Sequence, residues 1–145
     1  MANASNFMTE TLDELLRRYQ DELPLEFEHS VLGVNMRGFE GDTPLHVACI
    51  RDSIHDATLL LKSGADLNVR GDMAQTPIYY AISRGNFDLV RMLVEGGADL
   101  DQKSDFGDSP VSRARYWADL PDRPVIRTEI AQYLEAIAAK RRDGA

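Results

Sequence analysis

The feature that most constrains this chain is a repeat. Thr43-Pro44 recurs as Thr76-Pro77 and again as Ser109-Pro110, two steps of 33 residues. Gly64-Ala65-Asp66-Leu67 recurs as Gly97-Ala98-Asp99-Leu100 at the same offset, and Arg37-Gly38 recurs in phase as Arg70-Gly71. Val34-Asn35 aligns with Leu67-Asn68 and then with Leu100-Asp101. Self-similarity at a fixed period of this length belongs to arrays in which each unit packs on its neighbours. One unit cannot bury its apolar face alone, so about three must stack before the array is stable.

Each unit has a physical reading. Thr43 is placed to cap a helix, and Pro44 fits the first helical position because its missing N–H would be unpaired there anyway. Leu45, Ala48 and Cys49 follow at helical spacing. This first helix is short and rich in small residues, so a neighbour can pack closely. After a break at Arg51-Asp52, matched by Arg84-Gly85, a second helix carries Ile54, Ala57, Leu60 and Leu61 on one face. Its counterparts are Phe87, Val90, Leu93 and Val94. Gly64 and Gly97 sit where a helix must stop at positive φ. Polar stretches, Asn68–Gln75 and Asp101–Asp108, then lead as extended turns to the next Thr/Ser-Pro.

The ends depart from the period. Thr11–Glu22 places Leu12, Leu15, Leu16 and Tyr19 at helical spacing, with acids early and Pro24 as the stop. Residues 25–32 read as a second helix or an irregular segment. At the other end Glu129-Ile130 takes the role of Asp88-Leu89, a step of 41 rather than 33. Eight extra residues therefore lie between Tyr116 and Thr128, and Pro121 and Pro124 mark a longer loop. A last helix of roughly Val125–Arg141 ends in Lys140-Arg141-Arg142, cations that complement its dipole.

Thr43-Pro44-Leu45-His46-Val47-Ala48 followed by Gly64-Ala65-Asp66-Leu67-Asn68 resembles the ankyrin repeat, closely over residues 34–110 and in degenerate form outside. The resemblance implies an all-α solenoid of stacked helix-turn-helix units with β-hairpin fingers, forming one domain over residues 1–145. It divides into an N-terminal cap (9–40), two regular repeats (41–73 and 74–106) and a degenerate C-terminal repeat or cap (107–142). Two departures stand out. Tyr79 replaces the family's histidine, and Ser109-Pro110-Val111-Ser112-Arg113-Ala114 keeps the frame but loses both leucine and histidine.

The chemistry available is sparse. One cysteine, Cys49, excludes an internal disulfide and a multi-Cys zinc site, and makes the reducing cytoplasm the expected compartment. The segment Met1–Phe7 has no basic residue and no apolar core, so no secretory signal is expected. No apolar run is long enough to span a membrane. His29, His46 and His55 form no metalloprotease motif, and no phosphate-binding glycine loop is present. Asp99, Asp101, Asp105 and Asp108 lack the glycine and closing glutamate of a calcium loop. Neither a metal nor another cofactor is expected. His46 and Cys49, three apart on one helix, are the sharpest enzymatic reading, a Cys–His nucleophile pair. In the family these positions hold a structural histidine and a packed alanine, which favours a scaffold role and no enzyme activity.

Binding is then the expected function. The resemblance places the concave face on the finger tips and the exposed side of each first helix. The candidate contacts are Phe39, Glu40, Asp72, Met73, Tyr80, Arg84, Asp105, Phe106, Arg113 and Tyr116, with Met36 also on the first finger and Trp117 at the margin. Tyr80 and Arg84, one helical turn apart, are read as outside the scaffold's packing needs and so as the best hot spot. Phe39 and Phe106 either face a partner or fold back onto their own helix. The formal net charge is −8, concentrated as −5 over residues 1–40 and −5 over 41–110, against +2 over 111–145. Such a body repels nucleic acid and anionic membrane and attracts a basic protein. Short acidic chains of this type resemble bacterial ankyrin proteins, some of which are immunity proteins that block toxins. A monomer that captures a basic toxin or enzyme is the leading expectation. A thiol enzyme using Cys49 and His46, or a self-associating structural scaffold, are the alternatives.

Overall fold

The computed structural model describes residues 10–27 and 31–144. Met1–Phe7 and His29 lie outside the described residues. Thr11 caps α1 (Leu12–Glu22). Its hydroxyl accepts the Glu14 N–H at 3.2 Å, and the Glu14 carboxylate accepts the Thr11 N–H at 2.7 Å. This reciprocal pair satisfies two donors that a helix start leaves free. Leu15, Leu16 and Tyr19 form the buried stripe. α2 (Pro24–Phe27) is a single turn, which resolves the open reading of residues 25–32 only in its first part.

Three helix pairs follow: α3 (Pro44–Ile50) with α4 (Ile54–Lys62), α5 (Pro77–Arg84) with α6 (Phe87–Glu95), and α7 (Pro110–Asp119) with α8 (Val125–Asp143). Pro44, Pro77 and Pro110 each occupy the first turn behind Thr43, Thr76 and Ser109. The first helices α3, α5 and α7 form one row and the second helices α4, α6 and α8 the other, with α1 lying against α2 and α4. Ala48, Ala81 and Ala114 share one register and are all buried, so the first helices approach closely along the row. Gly64 (φ 89°) and Gly97 (φ 102°) end α4 and α6. A Cβ at either would meet nothing within 4 Å, so glycine is needed there for its backbone angle and not for space.

Three ladders tie each unit to the next. Asn35 accepts the Asp66 N–H at 2.9 Å, and Asn68 accepts the Asp99 N–H at 2.8 Å. Arg37 donates to the Arg70 carbonyl at 2.8 Å, and Arg70 to the Lys103 carbonyl at 3.2 Å. His46 Nε2 lies 2.8 Å from the Gln75 carbonyl. In its register the Tyr79 hydroxyl lies 2.6 Å from the Gln102 carbonyl and 2.8 Å from that of Asp108. Between the ladders project three fingers, each closed across its base by a backbone bond in the same register. These are Gly38 to Asp42 at 2.8 Å, Gly71 to Gln75 at 2.9 Å and Ser104 to Asp108 at 2.9 Å. They are hairpin-like turns, and no strand is assigned among the described residues.

The eight extra residues of the last unit are shared between helix and loop. Relative to α5 and α6, α7 runs two residues further, α8 starts three residues earlier, and the connecting loop 120–124 is three residues longer. Two arginines of α8 then grip the preceding unit. Arg127 donates to the carbonyls of Ile82 and, at 2.9 Å, Ser83, at the end of α5. Arg141 donates to Ala98 at 2.8 Å and Val94 at 3.2 Å, at the end of α6. The basic tail therefore serves the dipole of a neighbouring helix as well as its own.

Candidate functional site

The fingers and first helices leave one face on which side chains are free of the core. Phe39 is 88% exposed, Phe106 67%, Tyr116 60% and Met73 49%. Phe39 points outward, whereas Phe106 keeps one side against Arg113 of its own helix α7 while most of its surface stays exposed. Glu40, Asp105 and Arg84 are exposed beside them, and Asp72 is half-buried. Met73 and Ala74 both adopt left-handed backbone angles (φ 53° and 55°), which pushes Met73 to the tip of the middle finger.

Asp42, at the base of the first finger, is the hub of this face. Its carboxylate accepts the Asp72 N–H at 2.9 Å and the Tyr80 hydroxyl at 3.0 Å. The Tyr80 ring meets His46 edge-on at 5.5 Å. Burial and the Asp42 charge raise the Tyr80 phenol's pKa to well above its ordinary value. Tyr80 is thus a brace between two units, contrary to the expectation that packing does not need it. Among the described residues its hydroxyl is the only side-chain group of α5 that hydrogen-bonds Asp42.

Arg113 is also engaged within the chain: its Nε–H is paired with Asp108, and its guanidinium lies over the rings of Tyr79 (5.2 Å) and Phe106 (5.8 Å). Burial opposes ionisation of Asp108, but Arg113 and Ser104 outweigh it and lower its pKa. Met36 is buried and belongs to the core. Trp117 is half-buried, with the guanidiniums of Arg123 and Arg127 at 5.1 and 5.2 Å from its ring. Arg84 alone of the expected pair is free, with no ion-pair partner among the described residues. Phe106, Asp108, Ser112, Arg113 and Tyr116 enclose a groove of about 490 Å³ at the end of the face.

The thiol reading finds no support in this geometry. Cys49 is fully buried, and burial, with a smaller push from Asp52, raises its pKa far above the ordinary thiol value. His46 Nδ1 accepts the Thr43 N–H at 3.0 Å, which leaves the ring proton on Nε2 for the Gln75 carbonyl. Both ring nitrogens are engaged by the backbone. Burial holds the imidazole below its ordinary pKa, against the pull of Asp42.

Sequence periodicity gave no warning of one further cluster. Asp56 is buried in α4, where it accepts the Tyr19 hydroxyl at 2.7 Å and Arg18 at 2.9 Å. Glu10, His55 and Asp56 bring ligand atoms within 4.8 Å of one another. Arg18 donates to both carboxylates, at 2.8 Å to Glu10 and 2.9 Å to Asp56, so a guanidinium already supplies their counter-charge. This cluster fastens α1 to the stack.

The molecule is therefore a solenoid of helix pairs with one free finger-and-helix face and no assembled catalytic group among the described residues. Residues 1–104 match the family model for ankyrin repeats (three copies), and the chain belongs to the ankyrin-repeat family. No curated protein matches it. Ankyrin repeats are in general protein–protein interaction modules, and the family is typically non-catalytic. The match stops before α7, so the third unit is placed in the array by its register and bonding. No helix among the described residues is long and apolar enough to cross a membrane.

Proposed function

We propose that this chain binds a basic protein on its finger face, and that occupation of that face blocks the partner, as an immunity protein blocks a toxin. The observation that carries the reading is the row of exposed apolar side chains at the three fingers, Phe39, Met73 and Phe106, set beside the carboxylates of Glu40, Asp72 and Asp105. Aromatic and methionine side chains supply contact area at interface centres, and an acidic rim steers a basic partner to them. The net charge of −8, which is −10 over residues 1–110 offset by +2 over 111–145, supports the sign of the partner.

The test is affinity capture from the native host lysate, read by mass spectrometry, with wild type and a Phe39→Ser, Met73→Asn, Arg84→Ala variant. All three side chains are exposed, and asparagine tolerates the left-handed angle at position 73. The variant is expected to keep its melting temperature within about 2 °C and to lose one or a few basic proteins that wild type retains. Equal capture by both would remove the finger face as the binding surface.

A further inference from the structure

The three inter-unit ladders all run out at the third unit. Asn35 and Asn68 accept a backbone N–H from the following unit, and the next residue in that register is Asp101, which is exposed. Arg37 and Arg70 donate to a backbone carbonyl of the following unit, and the next in register is Lys103, exposed and without an ion-pair partner among the described residues. His46 and Tyr79 reach the base of the following finger, and the next in register is Ser112, also exposed. From α7 the chain turns through residues 120–124 into α8, and no described segment covers these three positions. The groove between Phe106 and Tyr116 lies at this edge and is lined by Ser112.

We propose that the edge marked by Asp101, Lys103 and Ser112 receives a turn segment of the partner protein, seated as an internal finger is seated on each of the two preceding units. This rests on the finger face being a protein-binding surface, and adds the place and the kind of segment bound. The molecule itself supplies the template: the same register binds a finger twice through backbone N–H and carbonyl groups. The occupant is a tight turn that offers Asp101 an N–H and offers Lys103 a carbonyl. An apolar side chain of that turn enters the Phe106–Tyr116 groove, and a basic one faces Asp101 and Asp105. A second copy of this chain is disfavoured, because its own first finger is already covered on the leading side, where Phe39 donates to the Glu26 carbonyl at 3.0 Å. The position is large in the first two units and small in the third, which leaves room for the incoming segment.

Trp117 is the only tryptophan, and its ring meets that of Tyr116 edge-on at 6.0 Å, so its emission reports on the groove. The probe is a backbone-cyclised peptide of residues 65–77, the middle finger itself, together with a version carrying lysine in place of Asp66 and Asp72. Cyclisation removes much of the ordering cost of a free turn. Titration into the intact protein is expected to give a saturable change in Trp117 emission and in the backbone amide shifts of residues 101–116. The lysine version should bind at least threefold tighter, and a scrambled cycle should not bind. Ser112→Tyr fills the edge with the residue that Tyr79 shows this register accommodates, and Tyr116→Ser removes one wall. Each is expected to weaken the peptide at least tenfold while circular dichroism is unchanged. If Ser112→Tyr fails to fold, Tyr116→Ser decides alone. No saturable change, or equal affinity in both variants, overturns the proposal. So does concentration-dependent sedimentation that Ser112→Tyr abolishes, which would seat a second copy there. Phe39 and Met73 lie outside the groove, so lysate capture can survive when the peptide fails. That outcome sinks this inference and leaves the finger face standing.

Discussion

The first and second repeats do the same mechanical job with different chemistry. In the first, His46 reaches forward to the Gln75 carbonyl at 2.8 Å and back to the Thr43 N–H at 3.0 Å. In the second, Tyr79 reaches forward to the carbonyls of Gln102 and Asp108 but does not reach back. The Thr76 hydroxyl is left buried with no partner, whereas that of Thr43 lies 2.9 Å from the imidazole. The position therefore requires length and a proton donor aimed at the next finger. The backward bond is a separable addition that only a ring with a second nitrogen supplies.

The largest expected effect comes from deleting the double bond. His46→Ala leaves the buried Thr43 N–H unpaired, takes from the Gln75 carbonyl one of its two donors (the Gly71 N–H remains) and opens a cavity at a fully buried site. The expected loss is about 3 kcal/mol in urea unfolding at pH 7.5. A loss below about 1 kcal/mol would show that water replaces the ring without penalty. The same joint makes the first repeat sensitive to acid and the second insensitive. Burial keeps the His46 pKa below its ordinary 6.5. Between that lowered value and 6.5 the unfolded chain binds a proton that the folded chain does not. Stability therefore falls as pH drops through this window, by at most about 1.4 kcal/mol per pH unit. Glu26, whose pKa burial raises, acts with the opposite sign from 4.5 upward. Its part is subtracted by comparing wild type with His46→Tyr, which is expected to cancel the histidine slope. An unchanged slope would place the acid sensitivity elsewhere. Tyr79→Phe tests the single bond of the second repeat. It keeps the ring and removes one donor, for an expected cost of about 1 kcal/mol.

How much of this was legible in the sequence depends on whether a contact recurs. The 33-residue phase located Pro44, Pro77 and Pro110, the helix limits and the three fingers, because each is written two or three times. The same phase places Phe39, Met73 and Phe106 on the fingers, but it does not say whether the two phenylalanines point outward. Contacts made once leave no periodic trace. Tyr80 meets Asp42 across 38 residues, and Asp56 meets Tyr19 across 37. Arg127 reaches Ser83 across 44, and Arg141 reaches Ala98 across 43. None of these separations is a whole number of repeats. Tyr80 therefore read as a surface residue outside the packing and Arg141 as a partner of its own helix, while Asp56 and Arg127 carried no sequence signal. Only the folded path brings them to those groups.

The fingers sharpen the comparison between the first two units at the smallest scale. Gly41 (φ 96°) and Gly107 (φ 83°) stand in the first and third fingers where the middle finger has Ala74 at φ 55°. An alanine in the left-handed region carries a strain of about 1 kcal/mol, and its replacement by glycine also loosens the unfolded chain by about half as much. Ala74→Gly is therefore expected to stabilise the protein by about 0.5 kcal/mol, seen as a raised urea midpoint with unchanged slope. A lowered midpoint would mean that the Ala74 methyl makes contacts worth more than the strain. Strain of this kind persists only where the surroundings fix the backbone, and it is concentrated where a side chain must be presented. Here it sits beside Met73, whose carbonyl also accepts the Asp105 N–H at 2.9 Å from the third finger. If the strain serves to hold Met73 out, Ala74→Gly gains stability and loses partner capture together. If capture is kept as stability rises, the alanine is a neutral substitution in the turn, and the Asp105 bond alone is enough to set the finger tip.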